Sequence, residues 1–415
     1  MDIATKGKEI LKLIFGMGFS QLIFLLLIPI LTRLFSPSDI GAFGAYLTSV
    51  ATLVILFTGR YEMALVFCKN EQAALALEKL SIRRCYFVGI LISILTFTIL
   101  FLLPNANQLT TLSYLIFVII GAFILGRYNI ALQVILRNSQ YKEISLARIS
   151  HSIIFGITSI FSALIFLPNM AILFLSDAAA RFFAFHTLGR KNFLDSINID
   201  QIRKVRSRYS RFSNFEQMTA LLSILSIQSP MIIIPLIFDA ATAGLYFIVF
   251  RVVMGPVGLI ANAVFDVFKV EASRQFHEIG ECRPIVLYTI SRLFLVGLIP
   301  TILIILLSEP LFILAFGESY ALAGKYAQLL APSVLFRFIA APLGFVLQLR
   351  ERVGLNTIFY GFFFLSTCLS LFIGWKLGSA EVMVIAISLT SSTLYLIQIA
   401  LAYAFSGPSK DKIYS

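Results

Sequence analysis

The amino-acid sequence predicts an all-α, polytopic membrane protein with about twelve transmembrane helices. Three observations carry that reading: bulk composition, the recurrence of long apolar runs, and the sorting of basic residues between those runs. Hydrophobic types make up 59% of the 415 residues and charged types 13%, against roughly 25% charged residues in soluble domains. No soluble core absorbs that excess. A run of about twenty apolar residues, rising 1.5 Å per residue, instead crosses the roughly 30 Å hydrocarbon layer of a bilayer.

The chain opens with Lys6, Lys8 and Lys12 and then runs apolar to Leu31. That run is too long for a signal-peptide core and lacks a small-x-small cleavage site, so Leu11–Leu31 is expected to remain as the first span. The next five are expected at Gly41–Thr58, Tyr86–Leu103, Ser113–Leu136, Ile144–Leu167 and Ala171–Leu188. A polar stretch, Gly189–Asn214, interrupts the pattern. Six more spans follow at Phe215–Phe238, Gly244–Phe268, Leu287–Leu307, Tyr326–Leu349, Asn356–Trp375 and Val382–Phe405.

Strict alternation of the connecting segments sends twenty-six of the 33 Lys and Arg to one side. The other side receives Arg33, Lys325 and Lys376, while Arg127, Arg181, Arg251 and Arg337 stay inside spans. By the positive-inside rule the basic side is cytoplasmic, which places both termini there. A missed or invented helix would invert every later loop and destroy the separation.

The polar stretch divides the chain into an N-terminal six-helix lobe (residues 1–189), a basic cytoplasmic linker (190–211) and a C-terminal six-helix lobe (212–415). Ile197, Ile199, Ile202 and Val205 alternate there with basic residues, a pattern that fits either a short helix lying on anionic headgroups or a solvated linker. Six spans per half make any internal repeat parallel. Pro29 followed by Gly41-Ala-Phe43 parallels Pro235 followed by Gly244-Leu-Tyr246 at the turn into the second helix of each half.

Function has to be sought in the charges that remain inside the spans, because an intramembrane arginine is costly and is normally aimed at a partner or a cavity. Counted at 1.5 Å per residue, Arg181, Arg251 and Arg337 fall near the bilayer centre. Arg127, and Arg60 if the second helix continues through Tyr61 and Glu62, line the cytoplasmic half. Asp177 and Arg181 are four apart on one helix and share a face. Each arginine could instead serve a helix–helix salt bridge, and Arg60 and Arg127 could reach the headgroups, whereas Arg181, Arg251 and Arg337 lie too deep to do so easily. Pro29, Pro230, Pro235, Pro256, Pro332 and Pro342 mark places where a helix can kink around a cavity or a moving segment.

Several classes are disfavoured. Cys68, Cys85, Cys282 and Cys368 show no C-x-x-C spacing, and His151, His186 and His277 are scattered, so neither a disulfide framework nor a metal site is expected. The net charge of +12 is explained by the cytoplasmic loops rather than by nucleic acid. There is no glycine-rich phosphate loop, no G-x-S-x-G elbow and no large outer loop with paired carboxylates, so neither an enzyme nor a cofactor is expected.

The run Gly18-Phe-Ser-Gln21 through Pro29-Ile-Leu-Thr-Arg33-Leu-Phe-Ser-Pro37-Ser-Asp-Ile-Gly41, followed by Arg60-Tyr-Glu62, resembles the opening of the polysaccharide-repeat flippases, the Wzx-type members of the MOP exporter superfamily. Ala243-Gly244-Leu-Tyr246 with Arg251 and Pro256, Leu311 to Gly324, and Ala331-Pro332 to Arg352 agree with that resemblance in order along the chain. The resemblance implies a MATE-like fold of two six-helix lobes around a central cavity. It further implies alternating access and an undecaprenyl-pyrophosphate-linked, O-antigen-like oligosaccharide moved from the cytoplasmic to the periplasmic leaflet of the inner membrane.

On this reading Arg181, Arg251 and Arg337 attract the pyrophosphate, Arg60 and Arg127 guide it inward, and Asp177 and Glu62 are candidates for ion coupling. The expected partners are that lipid-linked substrate, membrane lipids, and the polymerase and chain-length proteins of the same pathway. A drug or cation exporter on the same fold would need acidic rather than basic lumen residues. A membrane glycosyltransferase or polymerase would need a large acidic outer loop, and an assembly scaffold would not need buried arginines.

Overall fold

The computed structural model describes residues 3–68, 70–102, 108–188, 199–350 and 352–408, and every regular element among them is helical. In order these are α1 (Ile3–Leu34), α2 (Pro37–Thr58), α3 (Glu71–Leu102), α4 (Gln108–Arg137), α5 (Tyr141–Ile165), α6 (Met170–Thr187) and α7 (Ile199–Ile237). There follow α8 (Ala240–Val249), α9 (Gly255–Ile279), α10 (Arg283–Phe316), α11 (Ala321–Leu343), α12 (Phe345–Leu349), α13 (Val353–Lys376) and α14 (Ala380–Phe405). Each expected span coincides with helix, and eleven helical stretches among the described residues are long and apolar enough to cross a membrane. The remaining one is α6, 18 residues long, in which Asp177, Arg181 and His186 dilute the apolar content.

Helix boundaries depart from expectation where polar turns extend an apolar run. The third helix begins at Glu71 and the seventh at Ile199, well ahead of their apolar segments. Residues 189–198, including Ile197, lie outside the described set. From Ile199 onward the basic stretch forms the first turns of α7 rather than a separate helix on headgroups. Val205 and Ile202 pack onto Tyr61, Leu65 and Leu77, so the protein rather than lipid covers them. The second helix does not continue through Tyr61 and Glu62 either. It stops at Thr58 against Gly59 in the left-handed region (φ 60°), and a 3-10 segment, Tyr61–Phe67, follows.

The chain divides into two compact units, Met1–Ile224 and Leu225–Ser415, with the division inside α7. In the first, α5 packs on α1 and α6, while α2 and α4 pack on each other and on α3 and α6. Its centre is aromatic: Phe155 stacks between Phe24 and Phe43, and Tyr46 stacks on Phe174 at 4.6 Å between ring centroids. Large apolar side chains face outward instead, among them Phe87, Ile90, Leu91 and Ile94 of α3, as a helix in contact with lipid requires.

In the second unit α11 is the hub, packing on α8, α9, α10 and α14. Its buried face carries Ala323, Gly324, Ala327 and Ala331, small residues that let backbones approach in the absence of a hydrophobic drive between helices. At the closest point a Cβ on Gly324 would lie 2.5 Å from the Glu309 Cα, and Ser308 Oγ donates to the Gly324 carbonyl at 2.9 Å.

Both units start their second helix in the same way. Ser36 caps α2 and Asp239 caps α8, and in each case the glycine of the short repeat, Gly41 or Gly244, is the fifth helical residue. The second of these helices is then interrupted: Phe250–Met254 is a π-helical turn, followed at once by Gly255 and Pro256. Pro256 has no N–H to return to the preceding turn and its ring crowds that turn, which accounts for the widened backbone. Arg251 sits in this turn. Pro300 and Pro310 lie inside α10 as well, beside the six prolines noted from the sequence.

Candidate functional site

In the first unit Asp177, Arg181 and His151 form a compact group on α5 and α6. Arg181 Nε donates to Asp177 Oδ2 at 2.7 Å, the i,i+4 geometry that one helical turn provides, and the Asp177 side chain is only 2% exposed. The other carboxylate oxygen, Oδ1, lies 3.3 Å from Nε2 of His151 on α5. Tyr46 of α2 stands beside Asp177 and Arg181, and Tyr128 of α4 beside Arg148 and Arg181. Next to His151, Ser152 shares a 2.8 Å hydroxyl contact with Ser20 of α1, whose hydroxyl also donates to the Arg148 carbonyl. Three helices are thereby tied to one buried carboxylate.

Arg60 and Glu62 occupy a different place, the junction where α2 ends. Gly59 and Arg60 are both left-handed (φ 60° and 63°), a turn that a glycine adopts freely and an arginine does not. The turn aims Arg60 at α7: its Nη2 donates to Glu216 Oε1 at 3.2 Å, and its Nη1 lies 3.9 Å from Glu62 Oε1. Thr58 Oγ1 donates to the same Glu62 oxygen, Ser213 Oγ to the Gly59 carbonyl, and Arg84 to Gln217 Oε1 at 3.1 Å. A Cβ at Gly59 would run into the Arg84 guanidinium.

Glu62 lies beside Arg60 and is buried, 1% exposed, with Oε2 lacking a hydrogen-bond partner among the described residues. Burial pushes its carboxyl above the ordinary value of 4.5, against the opposing pull of Arg60. Folding therefore favours the protonated form. Its contribution to stability is fully present below 4.5 and is lost as pH rises through the raised folded value. Glu62→Gln is expected to remove that slope, so that the Tm of the variant gains on wild type as pH rises from 4.5 toward neutrality, read by thermal unfolding in detergent.

Arg127 joins neither group; its guanidinium lies over the Phe185 ring, 5.7 Å from the centroid. In the second unit Arg337 of α11 lies over the Phe250 ring at 5.8 Å, next in the chain to Arg251. It lines a small polar pocket with Tyr246, Ser333, Thr367, Ser391 and Tyr395. Hydroxyls and one guanidinium converge there within an otherwise apolar helical bundle. Such a set can offer donors to phosphate oxygens or to sugar hydroxyls.

The structure thus distributes the candidate residues over separate environments. It joins Arg181 to Asp177, Arg60 to Glu62, and Arg337 to the π-helical turn that carries Arg251. His151, Glu216, Tyr46 and the tyrosines around Arg337 did not emerge from the sequence, because each reaches its partner across helices. A polar side chain on the apolar face of a span, as at His151, was the one available signal.

A sequence model of the family described as polysaccharide biosynthesis protein matches residues 30–323, most of the chain. The chain belongs to this polysaccharide biosynthesis protein family. No curated protein matches the sequence. Solved structures establish the fold. An inward-facing multidrug resistance MATE family transporter of the MOP superfamily aligns at a TM-score of 0.71 and 12% identity, over 92% of this chain and 94% of that one. The lipid II flippase MurJ in an inward closed conformation aligns at 0.69 and 13%, over 94% and 87%. A MOP superfamily transporter from Pyrococcus furiosus, described as having a binding pocket of reverse polarity, aligns at 0.62 and 13%, over 96% and 95%. This family member is a multi-pass membrane protein with the fold of MOP superfamily transporters.

Proposed function

We propose that the protein is a Wzx-type flippase that moves undecaprenyl-pyrophosphate-linked oligosaccharide repeat units from the cytoplasmic to the periplasmic leaflet of the inner membrane. Translocation proceeds by alternating access and is ion-coupled. The observation that carries this reading is the sign of the intramembrane charge. Arg127, Arg181, Arg251 and Arg337 lie within the helices, whereas the buried Asp177 is held by Arg181 and His151. A guanidinium fork matches phosphate oxygens. A cation exporter on this fold would need the opposite polarity.

The family description supports polysaccharide assembly, and the name of MurJ supports lipid-linked cargo on this architecture. In this proposal Arg181, Arg251 and Arg337 engage the pyrophosphate, and Arg60 and Arg127 guide it from the cytoplasmic side. Asp177 and Glu62 take part in ion coupling, and both termini are cytoplasmic. The polymerase and chain-length proteins of the same pathway receive the product. The test is replacement, one at a time, of Arg251 and Arg337 by Ala and of Arg181 by Lys, which keeps a cation beside Asp177 but loses the guanidinium fork. Each variant is expected to reduce surface polysaccharide at least tenfold, the effect of losing roughly 1.4 kcal/mol of a charge-assisted contact, while membrane insertion persists. Wild-type polysaccharide from all three would contradict the assignment.

A further inference from the structure

We propose that His151 is a proton-binding residue that competes with Arg181 for the Asp177 carboxylate. Uptake of one proton by His151 then releases the Arg181 guanidinium toward an anionic phosphate group. The inference rests on the proposed transport of a lipid pyrophosphate, and assigns to His151 a role that the charges on α6 alone do not reveal.

The geometry supplies the competition. Each oxygen of Asp177 is engaged by a different donor, Oδ2 by Arg181 at 2.7 Å and Oδ1 by His151 at 3.3 Å. The carboxylate is 2% exposed, while Arg181 is 18% and His151 23% exposed. The acid is therefore the most enclosed of the three, and both bases are more exposed than it is. Arginine is not deprotonated in proteins, and a proton on the carboxyl would occupy an oxygen that already accepts a hydrogen bond. Imidazole is the member of the three that changes charge near neutrality without losing a partner.

With a neutral imidazole, Asp177 and Arg181 cancel, and the cluster offers an anion little. With an imidazolium the same three side chains carry one net positive charge, and the carboxylate has a second full charge to lean on. The guanidinium then has charge to spare. Proton uptake accompanies anion binding and offsets one negative charge of the headgroup.

Charged and titratable groups from the helices packed around the cluster stand beside it. From α2, Tyr46 stands beside Asp177 and Arg181; from α4, Tyr128 stands beside Arg181 and Arg148, and Arg127 lies over Phe185 of α6. Tyrosines titrate near 10 and arginines above 12, so none of these changes charge between pH 5 and 8. The first helix carries no ionisable side chain from Gly16 to Thr32, and Ser20, on that helix, holds Ser152 and the Arg148 carbonyl. Arg148 lies on the same helix as His151, one turn earlier. His186, on α6, bonds the Phe182 carbonyl and stands apart.

The chain contains 3 histidines, so NMR of ring-labelled histidine in the full-length protein in nanodiscs can follow each one. His151→Gln assigns the resonance directly, and His186→Gln with His277→Gln assigns it by elimination should the first variant fail to fold. Titrations are run without ligand and with saturating undecaprenyl pyrophosphate, whose affinity is measured across the same pH range. The His151 midpoint is expected to rise when the lipid is bound. By linkage, affinity in the wild type falls up to about tenfold per pH unit above that midpoint. His151→Gln loses this excess slope, which a purely structural role would leave in place, and His186→Gln keeps it.

A His151 midpoint indifferent to the lipid, or a slope that survives in His151→Gln, overturns the inference while leaving the transport proposal standing. Failure of the wild type to bind the lipid at any pH overturns both.

Discussion

Asp177→Ala is expected to abolish accumulation of folded protein. The carboxylate is buried and is the partner of Arg181 at 2.7 Å and of His151 at 3.3 Å. Forming the pair in a low-dielectric bundle gains little net stability, because two charges have to be desolvated. Removing one member is different, since it strands the other charge at a cost of about 3–5 kcal/mol. That is a large part of the roughly 5–15 kcal/mol that holds a typical protein folded. The double variant Asp177→Leu/Arg181→Met, apolar on both sides, is expected to recover monodisperse protein, because no charge is left unpaired. Gel filtration of detergent-solubilised fluorescent fusions separates the cases. Wild-type yield from Asp177→Ala would show that Arg181 finds another anion.

Gly324→Ala is expected to be strongly destabilising in the second unit. Its Cβ would stand 2.5 Å from the Cα of Glu309 and 3.0 Å from its N, both backbone atoms that no side-chain rotamer can move. The α10–α11 seam would have to open and the Ser308–Gly324 hydrogen bond would stretch, and α11 also packs on α8, α9 and α14. Overpacking of this kind costs about 1–3 kcal/mol. Gly361→Ala on α13, where nothing lies within 4 Å of the new methyl, is the matched control. It should be neutral or slightly stabilising, since Ala exceeds Gly in helix propensity by about 1 kcal/mol. Thermal unfolding of both variants in one detergent gives the comparison.

Both effects show which layers of the fold can be read from a sequence. The spans were legible because lipid imposes a length and a polarity on every crossing helix, and the charge pair on α6 because i,i+4 spacing is local. Helix ends were not: α3 and α7 continue through Glu-, Lys- and Arg-rich turns that carry no hydropathy signal. The left-handed turn at Gly59–Arg60 hides behind an arginine, a residue with no preference for that conformation. Contacts between helices were illegible for a different reason. His151 meets Asp177 across two helices and Arg60 meets Glu216 across 156 positions. Such contacts depend on how helices rotate and pack, which small residues such as Gly324 decide collectively. Pro256 announced an interruption, but that it would be a π-helical turn presenting Arg251 emerged only from the coordinates.

The central claim is that the intramembrane arginines serve an anionic, lipid-linked cargo. It is tested most directly by reconstituting the purified protein in vesicles that carry undecaprenyl-pyrophosphate-linked oligosaccharide in both leaflets. An added impermeant glycosidase removes the sugar from the outer leaflet and then from whatever crosses. Transport predicts complete digestion in the presence of the wild-type protein and digestion that stops at the outer leaflet with Arg251→Ala or Arg337→Ala. Digestion that halts at the outer leaflet with wild type as it does in protein-free vesicles, together with export of organic cations by the same preparation, would contradict the account.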